Sequence, residues 1–134
     1  MIGGAMFERD AASASLGMSL VEVAVGHAVV MMEVRPDMLN GFDVMHGGFL
    51  FALADTAFAF ACNDGTAVTL AAGADIVFLR PVQQGQRLTA TADERSRSGR
   101  SGVYDVTVRD ETGTPVAEFR GRSRTTGLPR PTPR

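Results

Sequence analysis

Residues 46–63 read His46-Gly-Gly-Phe-Leu-Phe-Ala-Leu-Ala-Asp55-Thr-Ala-Phe-Ala-Phe-Ala-Cys62-Asn63. The run is long, rich in alanine and apolar on every side, and Gly48 and Asn63 bound it, so it predicts a helix over about residues 47–63. A helix with no polar face is stable in water only when something wraps it. The fold therefore turns on what the flanking segments can supply.

Downstream, everything reads as strand. Residues 67–79 form one strand region, closed by Arg80-Pro81. Residues 86–96 alternate through Leu88, Ala90 and Ala92. In residues 102–109, Tyr104, Val106 and Val108 share one face, while Val103, Asp105, Thr107 and Arg109 share a more polar one. Asp110 to Gly113 has hairpin-turn composition, and residues 115–126 make the last strand. Upstream, alanine-rich residues 5–15 predict a short helix ended near Gly17, and residues 16–25 predict a strand. After a Gly26-His27 turn, residues 28–34 form a second strand, stopped by Pro36. Asn40-Gly41 and Asp43 mark a loop. The economical arrangement is α+β: an antiparallel sheet of about six strands curled round one central helix. It forms a single domain over residues 1–126, followed by a tail, 127–134, with three prolines that predict a flexible segment.

Composition narrows the function classes. A chain of 134 residues that is 45% apolar fits one domain with a core of its own. It has no apolar run long enough to span a membrane and no basic, apolar leader, and its single cysteine forbids an intrachain disulfide. A cytoplasmic location is the simplest expectation. Net charge is −2, yet residues 1–79 carry −7 and residues 80–134 carry +5, with arginine as the only basic residue type other than histidine. A basic half can attract nucleotide phosphates, or it can be a set of solvated strand faces. The aromatic spacing of RNA-binding platforms is missing, so nucleic acid is not expected as a partner.

Asp55 is the only strongly ionisable group inside the apolar run. An isolated buried carboxylate costs several kcal/mol unless it is paired, so its presence there points to use in chemistry. The alternative is a local role, capping a helix kink beside Thr56 or bonding a buried backbone group. Gly47 and Gly48 open the helix, where free N–H groups and the helix dipole can polarise a carbonyl or hold an oxyanion; equally, the pair can be a plain loop-to-helix junction. His46 suits a hydrogen bond to a substrate carbonyl, a base, or the helix start, and Asn40 suits a water or the Asn-Gly turn. His27 reads as surface, Cys62 as a small buried hydrophobe, and the histidines have no acidic cluster nearby, so no metal is expected. Asp55 follows Gly47 by eight residues. That is roughly 12 Å along one helix, too far for both to act on one carbonyl. Either the two features are unrelated or a site combines two chains, as a two-fold dimer would allow.

The run from Asn40 through His46-Gly47-Gly48 to Asp55-Thr56-Ala57-Phe58-Ala59 resembles the signature of the hotdog-fold thioesterases of phenylacetate degradation, the PaaI family. The likeness continues in Asp75 to Pro81, Gly102 to Val106 and Phe119 to Arg122, and covers about residues 5–126. It implies a hotdog fold and hydrolysis of acyl-CoA thioesters, with (hydroxy)phenylacetyl-CoA as the type of substrate. No cofactor is implied beyond the coenzyme A of the substrate itself. The residue matching Asp55 is nucleophile or general base, the Gly47 N–H polarises the carbonyl, and Asn40 and His46 line a site shared between the chains of a homodimer. Such dimers pair into tetramers. For the nucleotide of CoA, Gly48 aside, the turn Gly99-Arg100-Ser101 offers an arginine and hydroxyls, with Arg97 and Arg122 as weaker candidates. Two other readings carry different chemistry: an acyl-thioester dehydratase or hydratase using His46, and a non-catalytic acyl-CoA-binding module.

Overall fold

The computed structural model describes residues 3–65 and 67–130. The chain order is α1 (Gly4–Glu8), α2 (Ala11–Ser15), β1 (Ser19–Ala24), β2 (His27–Glu33), a 3₁₀ turn (Pro36–Met38), α3 (Gly47–Cys62), β3 (Ala67–Phe78), β4 (Arg87–Ser98), β5 (Ser101–Arg109) and β6 (Pro115–Pro129). The six strands make one antiparallel sheet in the order β1-β2-β4-β5-β6-β3. The link through α3 carries the chain from β2, near one edge, to β3, at the other. The helix thus lies across the sheet, as its all-round apolar sequence requires, and the arrangement is the hotdog fold that the resemblance implies.

Alternation puts Ala28, Val30 and Met32 of β2, Leu88, Ala90 and Ala92 of β4, Tyr104, Val106 and Val108 of β5, and Ala117 and Phe119 of β6 on the inner face, all buried. They meet Leu50, Leu53, Ala54, Ala57, Phe58, Phe60 and Ala61 of α3. Each large side chain buried here contributes roughly 1.5–3 kcal/mol of hydrophobic free energy. Small residues let the helix come close. A Cβ on Gly121 would lie 2.8 Å from the Phe58 ring, so the ring rests on bare backbone. The outer face carries cross-strand ion pairs: Arg120 to Asp105 through two bonds of 2.7 and 3.0 Å, and Arg122 to Asp75 at 3.0 Å. These pairs neutralise Arg120 and Arg122 of the second half.

Asn63 fixes both the end of α3 and the start of β3. Its Nδ2 donates to Ala59 O and Thr69 O at 2.8 and 2.9 Å, and its Oδ1 accepts from Thr69 N at 2.8 Å.

Three expectations need correction. The helix expected over residues 5–15 is two short ones, because the Asp10 carboxylate caps the second by accepting from Ser13 N at 2.9 Å. The first strand starts at Ser19, since Leu16-Gly17 ends the helix with Gly17 at φ 71°. The last strand runs to Pro129 instead of stopping at 126, and Pro129 pairs with Ala67; a proline at a strand's final position costs the ladder little. The rest of the expected tail, 131–134, lies outside the described residues. Among the described residues no helix is long and apolar enough to cross a membrane.

Replacing Gly121 by alanine should destabilise the fold by about 1–3 kcal/mol, because the Phe58 ring must leave its position. A thermal melt should fall by several degrees. An unchanged Tm would mean that the helix does not bear on the sheet here.

Candidate active site

The start of α3 is built around His46. Its Nδ1 accepts from Gly48 N–H at 2.9 Å, so the side chain caps the helix. A Cβ on Gly48 would stand 3.0 Å from that Nδ1, so the glycine is what lets the cap form. Gly48 N–H is thereby occupied. Gly47 N–H donates to nothing among the described residues and stays available at the positive end of the helix. A Cβ on Gly47 would sit 3.0 Å from the Phe78 ring tip, so glycine leaves this N–H approachable. Asn40 closes its own loop, its Oδ1 accepting from Phe42 N at 2.8 Å, while its amide nitrogen has no partner among the described residues. Asn40 and Gly47 line one cavity of about 420 Å³, with Leu50, Phe78 and Pro81. Phe78, not singled out in the sequence, lines this cavity; its signal was its place in the Asp75–Pro81 stretch of the resemblance.

Asp55 lines a different cavity of about 450 Å³, with Phe58, Ala59, Cys62, Val68, Leu70 and Arg130 among its walls. The two cavities have no lining residue in common. Within one chain, then, Asp55 is separated from Gly47 and Asn40, as the helix rise requires. The Asp55 carboxylate has no hydrogen-bond partner among the described residues, and Thr56 does not provide one: its hydroxyl donates to Ala52 O at 2.7 Å. Burial pushes the Asp55 carboxyl above its usual range. A half-buried carboxylate with no local duty removes the capping alternative. Cys62 is inert by contrast, since burial pushes its thiol up to about 12.

A third cavity, about 240 Å³, lies at the β4–β5 turn and contains Gly99, Arg100 and Ser101 together. Gly99 has φ 59°, the left-handed conformation that the two-residue turn needs. The Arg100 side chain has no partner among the described residues, and Ser101 Oγ accepts from Arg124 at 3.3 Å. The two weaker candidates are committed elsewhere. Arg97 bonds Asp64 at 2.7 Å and Glu94 at 2.6 Å, and Arg122 pairs with Asp75. His27, expected as plain surface, opens β2 and bonds both Glu22 and Asp93 at 2.5 and 2.6 Å. No cluster of three or more His, Cys, Asp or Glu fit to hold a metal occurs among the described residues.

The sheet-wrapped helix, with an N–H at its start and an unpaired acid two turns on, defines a hotdog-fold thioesterase. The thioesterase superfamily model matches residues 42–117, and the chain belongs to that superfamily. It is 46% identical over 123 residues to acyl-coenzyme A thioesterase PaaI of Escherichia coli K12, covering 92% of this chain and 88% of that protein. Among solved structures, the E. coli PaaI protein of the phenylacetic acid degradation operon superposes with a TM-score of 0.93 at 44% identity, covering 96% and 93% of the two chains. The TT0310 protein of Thermus thermophilus gives 0.84 at 41% identity, over 88% and 99%.

The raised Asp55 carboxyl carries a stability cost with a definite sign. The folded chain holds this proton more tightly than the unfolded one, so stability falls as pH rises from the ordinary value of 3.8 through the folded value. Asp55→Asn removes that cost. Its Tm should match wild type at the acid end of the range and exceed it at pH 7. A variant less stable than wild type at pH 7 would mean that Asp55 holds the fold together.

Proposed function

We propose that this protein hydrolyses acyl-CoA thioesters, with aryl- or hydroxyarylacetyl-CoA as the preferred class, and that Asp55 is the reacting carboxylate. The observation that carries this is Asp55 itself, unpaired and facing a largely apolar cavity on a PaaI-like framework. Such a cavity suits an apolar acyl thioester with one reactive group beside it.

Thioester carbonyls are weakly resonance-stabilised. An N–H at a helix start can hold the oxygen as it becomes negative. Gly47 N–H has no acceptor among the described residues, while His46 occupies the next N–H. Asp55 then acts on the carbonyl carbon by one of two routes. It attacks directly, expelling CoA thiolate and leaving an anhydride that water opens. Alternatively it takes a proton from a water held by the Asn40 amide, hydroxide oxygen bonds to carbon, the C–S bond breaks, and the proton passes to the thiolate. Neither route calls for a metal or redox cofactor. His46 serves by fixing Gly48, and so the helix start.

Gly47 and Asp55 can meet only if two chains contribute, so the proposed enzyme is a homodimer with two shared sites, assembling further into a tetramer. Two features support this. Among the described residues strand β3 bonds only β6 and leaves its other edge open, with Leu70, Val77 and Phe78 exposed. Beside it, Ala52, Asp55, Thr56 and Ala59 form a helix stripe that the sheet leaves half-exposed. Arg100, whose side chain has no partner among the described residues, is proposed to hold a CoA phosphate. A reducing cytoplasm is the proposed compartment, in keeping with one buried thiol.

Free-thiol release from a panel of acyl-CoAs tests the activity. Asp55→Asn should lower kcat by about 10²-fold or more with little change in KM; near-normal kcat in the folded variant would remove Asp55 from the chemistry. Arg100→Ala should raise KM for acyl-CoA more than it lowers kcat, and much less for an acyl-pantetheine, which lacks the nucleotide. Equal defects on both substrates would exclude Arg100 from the nucleotide site.

A further inference from the structure

Strand β6 gains length on β3 near its end. Thr69 pairs with Thr125, but Ala67, two residues back, pairs with Pro129, four residues on. The additional residues of β6 are taken up in a bulge. Thr126 Oγ1 donates to Val68 O at 2.8 Å, and Leu128 N donates back to Thr126 Oγ1 at 3.1 Å. In place of the roughly 13 Å that four extended residues would cover, Pro129 stands only about 7 Å along the sheet from Thr125. Thr125 N donates to Arg100 O at 2.8 Å, so the bulge draws the chain after Pro129 back toward Arg100.

The residue delivered there is Arg130. Its Nη1 donates to Gly65 O at 3.0 Å. Gly65 lines the cavity of Arg100, and Arg130 lines the cavity of Asp55. The two cavities also have Cys62 and Thr69 in common, so Arg130 stands at their junction. Its remaining guanidinium nitrogens have no partner among the described residues, and neither Arg100 nor Arg130 has a carboxylate at ion-pair distance there. By contrast, Arg95, Arg97, Arg120 and Arg122 of the basic half are paired with carboxylates. Arg100 and Arg130, neither paired with a carboxylate among the described residues, thus stand on the two adjoining cavities.

The distance fits a substrate with a reactive carbonyl at one end and phosphates at the other. From Asp55 to Asn63, whose cavity wall ends beside Gly65, the helix runs roughly 12 Å. A pantetheine arm is about as long as four extended residues, roughly 14 Å. We propose that Arg130, brought in by the β6 bulge, binds a phosphate of the CoA nucleotide together with Arg100, so that the Asp55 cavity holds the pantetheine arm. This rests on the acyl-CoA reading above. Guanidinium offers paired donors to phosphate, and two such groups flanking one groove suit a polyphosphate better than a single anion.

Calorimetric titration with CoA itself tests this without relying on turnover. Arg130→Ala should weaken CoA binding about tenfold, Arg130→Lys should recover part of the loss, and KM for an acyl-pantetheine should not change. Unaltered CoA affinity in Arg130→Ala would overturn the proposal, as would an equal rise in KM for the acyl-pantetheine. A wild-type protein that binds CoA but frees no thiol from any acyl-CoA would instead sink the hydrolase reading, leaving the binding comparison to decide Arg130.

Discussion

A sixteen-residue helix with no polar side has to be surrounded, and nearly every feature of this protein follows from how one chain does it. Six antiparallel strands cover most of the helix, and their inner faces are set by strict alternation. The close fit depends on bare backbone where the helix presses hardest, as at Gly121 under Phe58. The polar ends of the helix are closed separately, by His46 at the start and Asn63 at the finish. Burial supplies stability, while the two caps fix where the helix begins and ends. The position of every group on it is thereby determined.

That wrapping is incomplete along one stripe, where the proposed reacting carboxylate, Asp55, lies. Asp55 is held in surroundings that disfavour its charge and has no hydrogen-bond partner among the described residues. Natural chains accept such a cost where a carboxylate is used in catalysis. The open edge of β3 and the half-exposed helix stripe are the same region seen from the sheet and from the helix. In the proposed dimer, one contact covers both and brings a second chain's Gly47 to Asp55. The functional site then depends on the uncovered part of the fold as much as on the covered part.

Much of this was legible in the sequence because the apolar run is so unlike its surroundings. Its length, all-round apolarity and bounds located the central helix to within one residue, and alternation in some segments, with β-rich runs and turn residues in the others, located all six strands with errors only at their ends. Asp55 stood out as a lone acid, and the rise per residue already separated it from Gly47. What could not be read depended on contacts distant in sequence. The Asp10 cap that splits the first helix competes with an alanine-rich pattern that favours one. Arg97 and Arg122 look like phosphate binders until their partners Asp64 and Asp75, far away in the chain, are brought alongside. Arg130 is the converse case: proline-rich surroundings suggested a loose tail, and only the bulge opposite Val68 shows that the strand continues and where it leads. Phe78 matters through its approach to Gly47, which no local pattern encodes.

The central claim is that each site takes Asp55 from one chain and Gly47 from another, and complementation tests it most directly. Asp55→Asn removes the carboxylate; Gly47→Pro removes the N–H at a first helical position that tolerates proline. Each variant alone should be inactive, provided Gly47→Pro first shows the wild-type fold and oligomeric state. Co-expressed in equal amounts, the two should form about half heterodimers, each with one intact site, restoring about one quarter of wild-type activity. No recovery from two well-folded variants that demonstrably exchange chains would contradict the account, because every site would then lie within a single chain.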